Sequence, residues 1–148
     1  ESTMSECPLC ALPPEAYVWR GRHFALLNVS DDVFPCYFRL IAREHVREVT
    51  DLSREVRAQM WKLLEALEEA MRAEMRCDKV NWAQFGNMVP HVHWHLTARW
   101  ADDDRFPACP WEPVRREVPE ALIRERREAS ARLARKLPEI LSAVDQSN

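Results

Sequence analysis

The stretch His91-Val92-His93-Trp94-His95-Leu96-Thr97-Ala98-Arg99 decides how this chain is read. Polar and apolar residues alternate along it, the period of a half-buried strand. At a spacing of two, His91, His93 and His95 project from one face, each roughly 6.6 Å from the next, while Val92, Trp94 and Leu96 turn toward the core. A single buried histidine is commonly a packing residue, but packing does not explain three in alternation opposite an apolar set. Imidazoles this close oppose one another's protonation, so at least one stands neutral at neutral pH as a nucleophile, base or ligand. Such a face suits phosphate or a metal ion.

Working outward, Lys79-Val80-Asn81-Trp82-Ala83 reads as a preceding strand. Residues 23–28 and 37–42 read as two more, joined through a loop marked by Ser30-Asp31-Asp32 and Pro35. Between these pairs Leu52, Val56, Met60, Leu63, Leu64, Leu67, Met71 and Met75 recur in steps of three and four, an amphipathic helix with Asp51 as its expected N-cap. Val118, Leu122, Ala129, Leu133 and Leu137 mark a second helix, which Pro138 is expected to end or kink. The order predicts an α+β fold: an antiparallel sheet of about five strands, one long covering helix and a C-terminal helix.

A length of 148 residues suits a single domain. The net charge of -3 supplies no basic field to hold a polynucleotide, so a bound phosphate must be gripped locally. Only Gly21 and Gly86 are glycines, which excludes Gly-rich phosphate loops. No apolar run is long enough for a membrane span, and the first residues lack the pattern of a secretory signal, so a cytoplasmic protein is expected. Glu1-Ser2-Thr3 ahead of Met4 read as a remnant of expression. Five cysteines, with Cys36, Cys77 and Cys109 isolated, argue against a disulfide framework. Cys7 and Cys10 form a Cys-x-x-Cys pair, which is either half of a tetrahedral zinc site or two small buried residues in a Pro-marked turn.

His91-Val92-His93-Trp94-His95-Leu96-Thr97 resembles the signature of the histidine triad family, His-x-His-x-His followed by two usually apolar residues, with Thr97 a departure. The resemblance extends over about residues 7–111, through Cys7-Pro8-Leu9-Cys10, Phe24-Ala25-Leu26-Leu27-Asn28, His45, Asp51-Leu52, Asn81 and Gly86-Asn87-Met88-Val89-Pro90. Residues 118–148 form a helical extension beyond it. The run from Gly86 through the triad, with Phe106-Pro107, is similar to a bacterial branch of nucleotide hydrolases.

The resemblance implies hydrolysis or transfer at the α-phosphate of a dinucleoside polyphosphate or nucleoside phosphoramidate, through a nucleotidyl group carried by the middle histidine, His93. That chemistry needs no metal, because neutral imidazole is a competent nucleophile at neutral pH. By the same resemblance His95 contacts the phosphate and assists the leaving group, His91 and His45 orient the site, Asn28 touches the ribose and Asn81 the phosphate. Asn87 stands where many members carry glutamine. A structural zinc held by Cys7, Cys10, His45 and His91 is implied too, as is a homodimer paired through the long helix and adjacent strand.

Two other readings stand beside this one. The chain could bind nucleotides with little turnover, or His91, His93 and His95 could ligate a catalytic metal, although no carboxylate lies nearby in sequence to join them. Arg39, Arg43 and Arg99 could attract phosphate or simply be solvated strand-end charges. His23 matches nothing and reads as a surface residue, while Trp61 and Trp94, in apolar patterns, read as core or subunit interface.

Overall fold

A computed structural model describes residues 6–147. Residues 1–3, read above as a remnant of expression, and Met4 lie outside that range. Five strands, β1 (Trp19–Arg20), β2 (Phe24–Asn28), β3 (Tyr37–Ala42), β4 (Lys79–Ala83) and β5 (His93–Arg99), form one sheet in the order β1-β2-β3-β5-β4 with every pair antiparallel. Two α-helices, α1 (Arg54–Met75) and α2 (Glu120–Gln146), complete the α+β fold of the described residues. β1, only two residues long, has no alternation of its own to announce it; it exists because Trp19 and Arg20 pair with Leu26 and Ala25.

Strand alternation decides what each face carries. Phe24, Leu26, Phe38, Leu40, Leu96 and Ala98 form one apolar face, buried with Met60, Leu63, Leu64, Leu67 and Met71 of α1 in a single core. The opposite face carries Tyr37, Arg39 and Ile41 of β3 beside Thr97, His95 and His93 of β5, their register partners. The long helix therefore covers the sheet from behind and leaves the histidine face uncovered by it.

α1 begins two residues later than expected. Its N-cap is Ser53, whose Oγ accepts the Val56 N–H at 3.2 Å. Asp51 instead belongs to a short 3-10 turn (Val49–Asp51) and accepts the Glu48 N–H, so its carboxylate is used before the helix starts. Arg76, at φ 48°, ends α1 in the left-handed region.

Pro138 does not end α2, which runs on to Gln146. The ring removes one backbone donor at a cost of about 3 kcal/mol, but Leu133, Leu137 and Leu141 on both sides of it are buried in the common core. Packing of that apolar row outweighs the missing bond. At its far end α2 holds the start of the sheet: Trp19 Nε1 donates to Ser142 Oγ at 3.0 Å, and the Arg22 N–H donates to Asp145 Oδ2 at 2.9 Å. None of the described helices is long and apolar enough to cross a membrane.

Candidate functional site: the histidine face and the cysteine–histidine cluster

β5 starts at His93, not His91. His91 sits two residues ahead of the strand, at the end of a loop turned by Gly86 at φ 79°. The expected ladder of three equivalent histidines thus divides into two on the strand and one at its root, because the chain bends there to bring His91 against residues 7–10 and 45.

His91 is buried and bonded on three sides. Its Nε2–H donates to the Ala42 carbonyl at 2.6 Å, which leaves Nδ1 as the nitrogen with a free lone pair. That Nδ1 lies 3.4 Å from Cys7 Sγ, 3.5 Å from Cys10 Sγ and 3.2 Å from His45 Nδ1, while Cys10 Sγ lies 3.2 Å from His45 Nδ1. All four ligand atoms fall within 4.8 Å of one another. Two sulfurs and two imidazole nitrogens at that mutual spacing match a tetrahedral zinc donor set, and the Nε2–H···O=C bond is the outer contact that orients such a ligand. Burial, and then the neighbouring Cys7, push the Cys10 thiol up to about 11; a cation at the centre would reverse that preference and hold both sulfurs as thiolates. Among the described residues this is the group of His, Cys, Asp and Glu side chains close enough to share an ion, and His93 and His95 are outside it. The alternative of a metal held by His91, His93 and His95 finds no support in this grouping, since His91 turns its lone pair to the cysteines.

His93 Nδ1–H donates to the carbonyl of His91 at 2.6 Å. The proton is thereby fixed on Nδ1 and the lone pair on Nε2. The His95 ring lies 5.0 Å from that of His93, nearly perpendicular to it, and His95 Nδ1 is 2.6 Å from the Tyr37 hydroxyl. Phe85 and Trp111, both about half exposed, stand 6.3 and 5.7 Å from the His95 ring. With Asn81 and Thr97 they border a cavity of about 550 Å³ on the β4 side of His95. Burial, then His93, then Arg39 hold the His95 imidazole down at about 4. His91 is lowered as well, by burial first and, against the bond to Ala42, by His45 and His93.

The asparagines lie apart. Asn81 borders the cavity, but its Oδ1 accepts from Arg99 Nη1 at 2.8 Å. Asn28 ends β2 with its Oδ1 turned back onto the Ser30 N–H at 3.0 Å, and Asn87 is exposed on the loop before His91. His23 is exposed, and Arg43 donates to the Gly21 carbonyl at 2.8 Å.

Arg99 is neither a solvated charge nor a phosphate anchor. It is 4 % exposed, bonds Asp103 through Nε and Nη2 at 2.7 and 3.1 Å, and donates to the Ala108 carbonyl at 2.9 Å. Burial works to raise the Asp103 carboxyl, yet Arg99 and the backbone N–H groups of Arg105 and Trp100 outweigh it and hold the group below its ordinary value. This pairing organises the segment that carries Trp111 back to His95. Phe85, Trp111 and Tyr37 were not singled out from sequence. The signal for Tyr37 is register: once β3 pairs with β5, positions 37, 39 and 41 must share the face of His93 and His95.

Residues 14–101 match the HIT domain family. That is more than half of the chain, and together with the paired histidines on β5 it makes the protein a member of the HIT family. Among solved structures, a histidine triad protein from Marinobacter aquaeolei VT8 is 26% identical, with a TM-score of 0.69 over 85% of this chain and 90% of that one. A histidine triad protein from Bradyrhizobium japonicum is similar in fold at 24% identity, a TM-score of 0.65 and coverage of 84% and 97%. So is a Zn-bound histidine triad family protein from Mycobacterium smegmatis, at 22%, 0.58, 88% and 97%. No curated protein matches the chain. The family includes nucleotide hydrolases and transferases as well as members without catalysis.

The lowered His95 has a measurable consequence. Between about 4 in the fold and the ordinary 6.5, the unfolded chain carries more protons than the native one. The contribution of this group therefore makes stability rise with pH across that window and changes nothing outside it. NMR titration of His95 in phosphate-free buffer is expected to give a midpoint near 4, and a midpoint at or above 6.5 contradicts the geometry described.

Proposed function

We propose that this protein is a nucleotide hydrolase or nucleotidyl transferase acting at the α-phosphate of a nucleoside phosphate derivative, a dinucleoside polyphosphate or nucleoside phosphoramidate, with His93 as the nucleophile. The observation that carries this reading is the 2.6 Å bond from His93 Nδ1–H to the His91 carbonyl. It leaves the lone pair on Nε2 of a ring that is 8 % exposed, beside His95, which borders the cavity, and the carbonyl stabilises the positive charge the ring acquires on attack. His95 stands beside it as the donor to the leaving group. His91 and His45 hold the root of the strand. Asn81 and Asn87 approach the phosphate side and Asn28 the ribose side, with the Asn28 amide turning from Ser30 toward the ligand when it binds. A second reading, a nucleotide-binding module with little turnover, rests on Asn87, exposed on the phosphate-side loop where many members carry glutamine. Turnover separates the two.

We further propose a structural zinc on Cys7, Cys10, His45 and His91. The four donors fit the ion, and a Zn-bound family protein shares the fold. With all four positions filled by protein no coordination site is left for water, so the ion's part is to tie residues 7–10 to the root of β5. Catalysis needs no metal of its own.

A homodimer through α1 and β4 completes the proposal. Trp61 on α1 is 45 % exposed and stacks on Trp82 of β4 at 6.2 Å, with Trp94 5.7 Å behind it. β4 is an edge strand with one side unpaired, and the buried Trp82 Nε1 has no hydrogen-bond partner in the single chain.

Kinetics with both substrate classes test the mechanism. His93→Ala is expected to fold and lose all detectable turnover, whereas His95→Ala loses about 10²- to 10⁴-fold; equal losses would show the two roles to be confused. Activity should survive a chelator applied briefly. Protein purified without added metal should contain about one zinc per chain, fall in zinc content on Cys10→Ser, and melt at lower temperature after prolonged chelation. Less than about a tenth of an equivalent with unchanged melting counts against the site. Sedimentation should show a dimer that Trp61→Glu turns into monomer, and a wild-type monomer refutes the interface.

A further inference from the structure

Behind His95 lies a hydroxyl that the mechanism above does not use. Tyr37 opens β3 on the histidine face and is 7 % exposed. Its Oη is 2.6 Å from His95 Nδ1, and Nε and Nη2 of Arg39 approach the same oxygen at 3.4 Å each. A guanidinium only donates. The two long Arg39 contacts therefore address the lone pairs of Oη, and the hydroxyl's own proton is left for Nδ1. His95 is thereby held with Nδ1 as acceptor and its proton on Nε2. That is the reverse of His93, whose carbonyl partner keeps the proton on Nδ1. Two residues apart, one strand presents a nucleophilic nitrogen and an N–H donor.

A neutral His95 is a weak acid unless its other nitrogen gains a proton as Nε2 loses one, since otherwise an imidazolate is left. Burial and the His93 and Arg39 neighbours keep it neutral. The titratable and charged groups against it are Tyr37 and Arg39 from β3 and His93 from its own strand; Phe85 and Trp111 stand on the other side, where Glu68 of α1, Lys79 of β4 and Cys109 also line the cavity that His95 borders.

We propose that Tyr37, held by Arg39, is a positioning residue that sets His95 as the Nε2–H tautomer and stores the proton His95 passes to the leaving group. The inference rests on the nucleotidyl-transfer reading. As His93 Nε2 forms its bond to phosphorus, the bond to the leaving group breaks and its electron pair leaves with that group. The leaving atom takes the Nε2 proton of His95 while Nδ1 takes the hydroxyl proton of Tyr37, and the phenolate left behind faces the Arg39 guanidinium. In the second half water's oxygen bonds phosphorus and the P–N electron pair returns to His93. One water proton goes to His95 Nε2, and the Nδ1 proton returns to Tyr37. Protons balance over the cycle, and water is the sole co-reactant.

Tyr37→Phe tests this, since it keeps the ring and deletes only the hydroxyl. The first readout is independent of activity: in ¹⁵N-labelled protein without ligand, wild-type His95 should show Nε2 protonated and Nδ1 bare but hydrogen-bonded. In the variant the Nδ1 resonance should move to that of an unbonded or protonated nitrogen. A wild-type Nδ1 that carries the proton, or an Nδ1 signal unchanged in the variant, overturns the positioning role. The second readout is turnover of two derivatives of one nucleotide, with a strongly basic alkylamine and a weakly basic nitrophenolate as leaving groups. Tyr37→Phe should lose about 10²-fold with the amine and little with the nitrophenolate. Equal losses overturn the proton-storing role, because a merely structural defect slows both alike. If the wild-type protein turns over neither compound, the functional reading falls and the proton transfer with it, while the nitrogen spectrum still decides what Tyr37 does to His95.

Discussion

His91 is the residue on which the site depends, and it works through three bonds at once. Its carbonyl fixes the His93 tautomer, its Nε2–H is tied to Ala42 at the end of β3, and its Nδ1 faces Cys7, Cys10 and His45. The backbone around it is pinned as firmly: the Ala42 N–H donates to the Val92 carbonyl at 3.0 Å and the Val92 N–H to the Val46 carbonyl at 2.9 Å. A shift at the cysteines therefore moves the carbonyl that sets the proton position on His93. The metal-type cluster and His93 are two faces of one bonded unit, and the sheet register carries that unit to His95 and Tyr37.

The division of labour among the histidines follows from their partners rather than from residue type. Each ring is fixed by its partners: a carbonyl and the cysteine cluster for His91, a carbonyl for the buried His93, a phenol and the cavity side for His95. In the proposed reaction, identical side chains thereby serve as structural ligand, nucleophile and donor. The core behind them, from Phe38 and Leu40 to Leu63, Leu67 and Leu133, makes those positions rigid enough to be distinct.

Periodicity made most of the architecture readable in the sequence. β3, β4, α1 and the α+β class follow from alternation and from the three–four steps between Leu52 and Met75. What escaped was decided by contacts distant in sequence. β1 is two residues long and exists through pairing, Pro138 is overridden by the buried leucines around it, and Asp51 yields the cap to Ser53 because its carboxylate is taken one turn earlier. At the site, the signature pointed to His91, His93 and His95, while the Cys-x-x-Cys pair alone left a zinc site and two buried turn residues both open. The split between His91 and the other two required the bend at the root of β5. Arg99 looked like a solvated strand end, and its burial against Asp103 is legible only once the segment after β5 folds back. Tyr37 could not be found by motif, because its role comes from strand register alone.

The central claim is that His93 Nε2 becomes covalently bonded to phosphorus, and peptide mapping by mass spectrometry after rapid quenching from a nucleoside phosphoramidate tests it most directly. The account predicts one nucleoside monophosphate added to the peptide bearing His93, absent from His93→Ala and accumulating in a variant slowed in the hydrolytic half. Turnover with no adduct, or an adduct mapped to another residue, contradicts it.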